Sequence, residues 1–201
     1  TADIQIIKAD IKDLEKLTAS LKGVDIVYHF ASNPDIAKAA TQPDIDFWEG
    51  TYLTNNVLEG MRINKVKKLI YASGSGVYGD TALLEVAEDY APMTPISTYG
   101  ASKLACEALI CAYCHMFELQ ASAFRFANVV GPHQTHGVGF DFLNKLTGNP
   151  AELPILGDGS QSKSYIYVED VLSAIRLLEK KADKAFDVFN TIQRSDLKKE
   201  W

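Results

Sequence analysis

Ser97-Thr98-Tyr99-Gly100-Ala101-Ser102-Lys103 is the stretch on which the interpretation of this chain depends, and it opens a long helical pattern. Tyr99 and Lys103 are four residues apart, so both lie on one face of a helix. A nearby ammonium group favours the phenolate and can lower the pKa of the tyrosine, which predicts a general base. For this pair alone, the alternative is a surface tyrosine beside a solvated lysine.

The composition favours small-molecule partners over nucleic acid or membrane. The chain has 201 residues, 47% of them hydrophobic, which is enough for a sizeable core. Its net charge of -6 and pI near 5.2 argue against a general affinity for nucleic acid or anionic membranes. No apolar run approaches the ~18 residues of a membrane span.

The cysteines and the first residues predict a cytoplasmic protein. The three cysteines all lie between Cys106 and Cys114, which is a poor framework for disulfides and is typical of a reducing compartment. Thr1-Ala2-Asp3 lacks the basic and apolar regions of a signal peptide.

Strand and helix patterns alternate through the first 131 residues. We predict strands at residues 3–9, 24–30, 68–73 and 121–126, and helices at 13–21, 45–63 and 98–117. This order predicts an α/β fold with a doubly wound parallel sheet and helices on both faces. Ligands of such sheets bind at the carboxyl ends of the strands.

Shorter elements follow residue 131 and predict a second, smaller lobe. They are helices at residues 139–146 and 169–180, strands at 164–168 and 186–190, and a turn at Gly157-Asp158-Gly159. We therefore divide the chain into residues 1–131 and residues 132–201.

Several separated motifs agree in order and spacing with one known family. They are Asp10-Ile11, His29-Phe30-Ala31, Val77-Tyr78-Gly79, the stretch from Pro95 to Lys103, the stretch from Arg125 to Pro132, Gly157-Asp158-Gly159, and the stretch from Tyr165 to Val171. With these motifs the chain resembles the extended short-chain dehydrogenase/reductases, specifically the NAD-dependent nucleotide-sugar epimerases and dehydratases. Its greatest likeness is to archaeal-type UDP-glucose 4-epimerases.

The resemblance implies NAD as the cofactor and a partial Rossmann-type dinucleotide-binding domain at residues 1–131. Tyr99 would be the catalytic base, and Lys103 would lower its pKa and hold the nicotinamide ribose. The resemblance also places Asp10 and Ile11 at the adenine, and it lines the cofactor with Phe30, Ala31, Ser32, Ala72, Ser73 and Phe126.

The same resemblance implies a UDP-sugar substrate, bound with the help of the lobe at residues 132–201. Asn128 would meet the sugar-nucleotide phosphates and Lys163 the diphosphate. His136 lies in a loop on the substrate side, where it either forms a hydrogen bond with a ligand or is exposed to solvent. The family often has Arg at the last position, and Lys is a point charge without the arginine fork. The implied reaction moves a hydride from sugar C4 to NAD and returns it to the other face.

Two positions depart from the family pattern. The family places Ser or Thr three residues before the Val of Val-Tyr-Gly, where this chain has Gly74, so we expect Ser73 or Ser75 to supply the catalytic hydroxyl or else low activity. It also tends to carry Asn near the cofactor where this chain has Glu49-Gly50, and a carboxylate is an unusual neighbour for a diphosphate.

The glycine-rich turn that binds the pyrophosphate in this fold would precede the strand predicted at residues 3–9. Nothing before Ile4 matches it, so we expect a truncated chain that binds NAD weakly. In this interpretation, the absent first strand would lie between the strands at residues 3–9 and 24–30.

Three functions therefore follow from the sequence. The first is a nucleotide-sugar 4-epimerase, and the second is a non-catalytic or truncated relative that binds a nucleotide sugar. The third is a dehydratase or reductase on the same scaffold, which is disfavoured because Ser75 and Gly76 stand where dehydratases carry Asp-Glu. A homodimer through the helices at residues 45–63 and 98–117 is also expected.

Overall fold

The computed structural model describes residues 3–81, 86–155, 157–159, 163–181 and 183–191. The chain forms two compact units. One runs through Phe126 and takes in Leu177–Asn190, and the other consists of Ala127–Arg176 together with Thr191. The first stretch of the first unit ends at Phe126, whereas the sequence placed the boundary after residue 131, and the last described strand belongs mostly to the first unit.

Helices and strands alternate through the first unit, and most of them lie close to the predicted ranges. In chain order the elements of both units are α1 Leu14–Ser20, β1 Ile26–His29, a 3-10 turn at Ile36–Ala40, a π-helical turn at Phe47–Tyr52, α2 Leu53–Asn64, β2 Lys68–Gly74, a 3-10 turn at Ser75–Tyr78, α3 Thr98–Phe117, β3 Gln120–Phe126, β4 Asn128–Val130, α4 Val138–Gly148, β5 Tyr165–Tyr167, α5 Val168–Lys181 and β6 Phe186–Thr191.

The main sheet has the strand order β1-β2-β3-β6. β1 pairs with β2 and β2 pairs with β3, both in parallel, so the carboxyl ends of these three strands meet at one edge. The register places Ser73 of β2 opposite Arg125 of β3. The predicted α/β fold with a parallel sheet flanked by helices is confirmed.

The core of the first unit lies between the sheet and the helices α2 and α3. The side chains of α3 that are buried here recur every four residues, at Cys106, Ile110 and Cys114, so one face of the helix is apolar along its length. This face packs with Leu58 and Met61 of α2 and with the buried strand β2. The packing fixes α3 against the centre of the sheet.

The strand predicted at residues 3–9 is wrong. The described residues of this segment form no regular structure, and Ile4 and Ile6 are 83% and 89% exposed. A β-strand requires a neighbouring strand for its ladder of hydrogen bonds, and the exposed backbone of this segment is instead open to water. β1, the end strand of the described sheet, is shorter than the strand predicted at residues 24–30, and its Tyr28 is exposed.

The second unit is built around a small parallel pair, β4 and β5. Val129 of β4 lies in register with Ile166 of β5. β5 and α4 were expected from the sequence, but β4 was missed because three residues are too short for a periodic pattern.

Within the described part of the chain, no helix has the length and apolar character needed to cross a membrane.

Candidate active site

The amino end of α3 carries the Tyr99–Lys103 pair and lies close to the turn that follows β2. The side chain of Ser97 caps the helix by accepting a hydrogen bond from the backbone N–H of Gly100 at 3.0 Å. A side chain at Gly100 would collide with the backbone oxygen of Gly76, so glycine permits this close approach. The first turn of α3 is thereby held beside the carboxyl end of β2.

Lys103 is buried and points at the end of β2. Its Nζ donates to the backbone oxygen of Ala72 at 2.6 Å and lies 5.0 Å from the ring centroid of Tyr71. The same Nζ lies 5.5 Å from the ring centroid of Tyr99, so the two residues face each other as the sequence predicted. Burial lowers the pKa of Lys103 to about 8.

The pKa of Tyr99 is raised in this structure, and burial is the main cause. A hydrogen bond with Ser32 lowers this pKa, while the nearby charges of Asp46 and Cys106 raise it further. The expectation that Lys103 lowers the pKa of Tyr99 is therefore wrong for this structure, because burial of the phenol has the larger effect. The role of Tyr99 as the base stays a prediction.

Glu107 extends the same helical face, four residues beyond Lys103 and eight beyond Tyr99. Its carboxylate accepts from the hydroxyl of Ser73 at 2.5 Å and from Nε and Nη2 of Arg125 at 3.0 and 2.7 Å. All three residues are buried. Together they join α3 to the carboxyl ends of β2 and β3.

Arg125 carries this network on to three further segments. Its Nη1 donates to the hydroxyl of Tyr78 at 2.7 Å and to the backbone oxygen of Glu88 at 3.0 Å. The Tyr78 hydroxyl donates in turn to the side-chain oxygen of Asn190 at 2.8 Å, and the backbone N–H of Asn190 donates to the Glu88 carboxylate. The turn after β2 and the end of β6 are thus tied to one buried ion pair.

The sequence prediction missed this network, although the sequence contained a signal for it. Arg125 is the only charged residue of the buried strand β3, and Glu107 falls on the buried face of α3. A charge in a buried strand requires a partner, and a carboxylate on the facing helix is the natural one. Spacing alone does not reveal which helix faces which strand.

The two serines beside Gly74 have different environments. Ser73 is buried and its hydroxyl is engaged by Glu107, whereas Ser75 is exposed at the start of the 3-10 turn. A Cβ built on Gly74 would meet no heavy atom within 4 Å, so the position has room for a side chain.

The residues expected at the cofactor lie mainly around the carboxyl ends of the strands. Phe30, Ala31 and Ser32 follow β1, and the Phe30 side chain is 52% exposed. Ala72 binds Lys103 through its backbone, and Phe126 ends β3 with its ring stacked 6.0 Å from that of Phe124.

Asp10 and Ile11 lie in a loop that packs near the start of α2. The Asp10 carboxylate accepts from the backbone N–H of Lys12, and Asn56 donates to the backbone oxygen of Ile11. Lys12 Nζ binds the Glu49 carboxylate at 2.6 Å. Glu49 is therefore paired with a cation instead of standing alone near a diphosphate site.

The expected substrate residues Asn128, His136 and Lys163 belong to the second unit and are exposed. The Asn128 side-chain amide donates to the backbone oxygen of Ser164 at 3.0 Å. The His136 ring lies 3.3 Å from the Thr135 hydroxyl. The bond to Ser164 holds Asn128 beside the residue that follows Lys163.

His29 at the end of β1 is a satisfied core residue. Its Nε2 lies 3.0 Å from the Thr54 hydroxyl, and burial lowers its pKa to about 4.

Within the described ranges, no group of three or more His, Cys, Asp or Glu side chains is arranged to hold a metal ion.

Comparison with known proteins gives consistent matches. A sequence model of the NAD dependent epimerase/dehydratase family matches residues 1–191. A protein of Methanocaldococcus jannaschii, provisionally named a UDP-glucose 4-epimerase, is 33% identical over 178 residues, which are 85% of this chain and 57% of that protein.

Two solved structures show the same fold. A crystal structure of UDP-galactose 4-epimerase is 39% identical, with a TM-score of 0.81 over 92% of this chain and 60% of that one. UDP-glucuronic acid 4-epimerase from Bacillus cereus, in complex with UDP-glucuronic acid and NAD, is 29% identical, with a TM-score of 0.82 over 94% of this chain and 60% of that one.

This chain therefore spans less than two thirds of the length of each of these relatives. The resemblance predicted from the motifs is confirmed, and NAD is the cofactor that the family name specifies. The chain belongs to the NAD-dependent epimerase/dehydratase family.

Proposed function

We propose that this chain provides the catalytic base of a nucleotide-sugar 4-epimerase of the UDP-glucose/UDP-galactose type. The observation that carries the proposal is the Tyr99–Lys103 pair, with Nζ of Lys103 bound to the end of β2 and 5.5 Å from the Tyr99 ring. The relatives named above support the substrate class, because two of them are 4-epimerases of UDP-sugars and a third is provisionally named one.

In the proposed reaction Tyr99 takes the proton from the sugar 4-hydroxyl and later returns it. Bound NAD would supply reversible hydride acceptance from C4 of the sugar. Lys103 would bind the cofactor ribose, and its ammonium charge would stabilise the phenolate once Tyr99 has lost its proton.

The residues of the first unit fit such a cofactor. Gly74 leaves open space beside the end of β2, and the exposed ring of Phe30 offers an apolar surface after β1. The pairing of Glu49 with Lys12 neutralises the carboxylate that the sequence had made unfavourable for a diphosphate. Phe30, Ala31, Ser32, Ala72 and Lys103 would hold the nicotinamide half, with Asp10 and Ile11 at the adenine.

Ser75 is the better candidate of the two serines for the hydroxyl that Gly74 lacks. The Ser73 hydroxyl already donates to the buried Glu107 carboxylate, so its removal would affect stability first.

Asn128, His136 and Lys163 are the proposed contacts to the UDP-sugar. The homodimer and the cytoplasmic location also stay predictions, and sedimentation equilibrium would measure the first.

A second candidate is a relative that binds a nucleotide sugar without turning it over. Gly74 favours it, because glycine cannot share a proton with Tyr99. A dehydratase is disfavoured, since Ser75 and Gly76 provide no carboxylate for eliminating water.

Incubation of the purified protein with NAD and UDP-glucose or UDP-galactose tests the proposal. We expect interconversion of the two sugars, with a ~10²–10⁴-fold loss of rate in Tyr99→Phe and unchanged UDP-sugar binding. Binding without interconversion would support the non-catalytic relative. An unchanged rate in Tyr99→Phe would contradict the assignment of the base.

A further inference from the structure

Asp46 is a buried carboxylate immediately before the π-helical turn at Phe47–Tyr52, and only 2% of its surface is exposed. No salt bridge to it occurs among the residues that the structure describes. A buried carboxylate without a cation is costly unless hydrogen bonds satisfy it. Hydrogen bonds from neighbouring groups must therefore satisfy the Asp46 carboxylate.

Two hydrogen bonds to Asp46 connect separate parts of the candidate site. The Asn33 side-chain amide donates to Oδ1 at 2.8 Å, and the Thr98 hydroxyl donates to Oδ2 at 2.6 Å. Asn33 follows Ser32 in the loop after β1, and Thr98 precedes Tyr99 at the start of α3. One carboxylate therefore holds the direct neighbours of both Ser32 and Tyr99.

The backbone of Asp46 is anchored to the same helix. The hydroxyl of Ser102, four residues after Thr98 on α3, donates to the backbone oxygen of Asp46 at 2.7 Å. Ser102 also lies 2.9 Å from the Thr51 hydroxyl, and a side chain at Gly50 would collide with it. The carboxylate is thus fixed in position relative to Tyr99, and π-helical turns of this kind often occur at functional sites.

We propose that Asp46 is a positioning residue for Tyr99: its carboxylate clamps Asn33 and Thr98, and its negative charge acts on the phenol. This inference rests on the proposed function, in which Tyr99 is the base. The clamp holds the Ser32 loop next to Tyr99, and the charge makes the phenolate harder to form but more basic once formed.

The Asp46 charge shifts the pKa of Tyr99 in a known direction. The charge of Asp46 raises the pKa of Tyr99, as do burial and Cys106, whereas the hydrogen bond with Ser32 lowers it. Other titratable groups around Tyr99 are Cys106 and Lys103 on α3 and Tyr71 on β2. His29 on β1 lies against Tyr71, and burial lowers its pKa to about 4. Removal of the Asp46 charge should therefore move the ionisation of Tyr99 to lower pH.

The ionisation of Tyr99 in the purified protein is the measurement that tests this. The chain has nine tyrosines, so the phenolate absorbance of Tyr99 is obtained by subtracting the titration of the matching Tyr99→Phe protein. Asp46→Asn removes the charge with little change of shape. Asp44→Asn is the matched control, because Asp44 is exposed and lies only two residues away.

We expect a lower ionisation midpoint in Asp46→Asn and an unchanged midpoint in Asp44→Asn. Where turnover is measured, its rising limb with pH should move in the same direction. An unchanged midpoint in folded Asp46→Asn, or an equal shift in Asp44→Asn, would overturn the proposal. A shifted midpoint in a protein without turnover would support Asp46 and count against the proposed function alone.

If Asp46→Asn fails to fold, the variant Thr98→Val tests whether Asp46 positions Tyr99. It removes the bond from α3 to the Asp46 carboxylate and leaves the Ser102 bond to the Asp46 backbone, so the carboxylate is no longer held at the residue before Tyr99 and its charge acts less on the phenol. This lowers the ionisation midpoint, whereas a midpoint equal to that of the unmodified protein would refute the clamp.

Discussion

Glu107→Gln should destabilise the protein severely, because it leaves a buried guanidinium without its counter-charge. The side chains of Glu107 and Arg125 are only 5% and 3% exposed, and two hydrogen bonds join them. Removing one partner of such a pair costs about 3–5 kcal/mol. A typical domain has ~5–15 kcal/mol of net stability, so the free energy of unfolding should fall by a large fraction.

The chain offers a control pair with the same hydrogen-bond geometry and greater exposure. Nε and Nη2 of Arg62 donate to the two carboxylate oxygens of Glu59 at 3.0 and 2.8 Å, but these side chains are 40% and 26% exposed. Glu59 also accepts from the Tyr113 hydroxyl at 2.6 Å, a bond that the amide oxygen of glutamine can retain. An exposed pair contributes about 0–1 kcal/mol. Glu59→Gln should therefore change the free energy of unfolding by no more than about 1 kcal/mol.

Equilibrium unfolding in urea measures both variants against the unmodified protein. Equal slopes of free energy against urea concentration would show that the same surface is exposed in each case. If Glu107→Gln and Glu59→Gln lose the same stability, burial does not decide the contribution of these pairs, and the reasoning is refuted.

Three further predictions follow from single side chains. Gly74→Ser should raise the epimerisation rate, because the position has room for a hydroxyl, and a rate equal to or below that of the unmodified protein would contradict this. The pKa of His29 is lowered from 6.5 to about 4, so up to about 3 kcal/mol of stability should be lost as the pH falls from 6.5 to 4. In urea titrations, the free energy of unfolding of His29→Gln should fall less over this pH range than that of the unmodified protein. Burial also lowers the pKa of Lys103 from 10.5 to about 8, so stability is lost as the pH falls from 10.5 to 8, and the penalty of the charged amine is complete below pH 8. Lys103→Met should therefore abolish turnover yet raise the free energy of unfolding at pH 7, and a destabilised variant would show that the bond to Ala72 outweighs burial.

The central part of the fold could be predicted because its signals are local. β2 has an apolar run at its centre, from Leu69 to Ala72, and α3 begins at a serine cap and repeats its apolar residues at helical spacing. The Tyr99–Lys103 pair lies within one helix, so its common face follows from helix geometry. These features do not depend on which other elements lie nearby.

The remaining features depend on contacts between distant parts of the chain. The segment at residues 3–9 has a strand-like composition but no partner strand in the described structure, so its pattern was misleading. The Asp46 clamp joins residues 33, 46 and 98, and no spacing rule connects them. The raised pKa of Tyr99 is likewise set mainly by burial, which a sequence pattern reports only indirectly.

The end of the sheet at β1 has a consequence for how the protein behaves at high concentration. An uncovered sheet edge is a template for pairing with another chain. In the described structure β1 ends the strand order, and the segment at residues 3–9 carries exposed isoleucines at positions 4, 6 and 7. Mutual repulsion from the net charge of -6 opposes such pairing, and salt screens that repulsion. Turbidity should therefore develop sooner in concentrated solutions at high ionic strength, so storage in dilute, low-salt buffer should preserve the monodisperse protein.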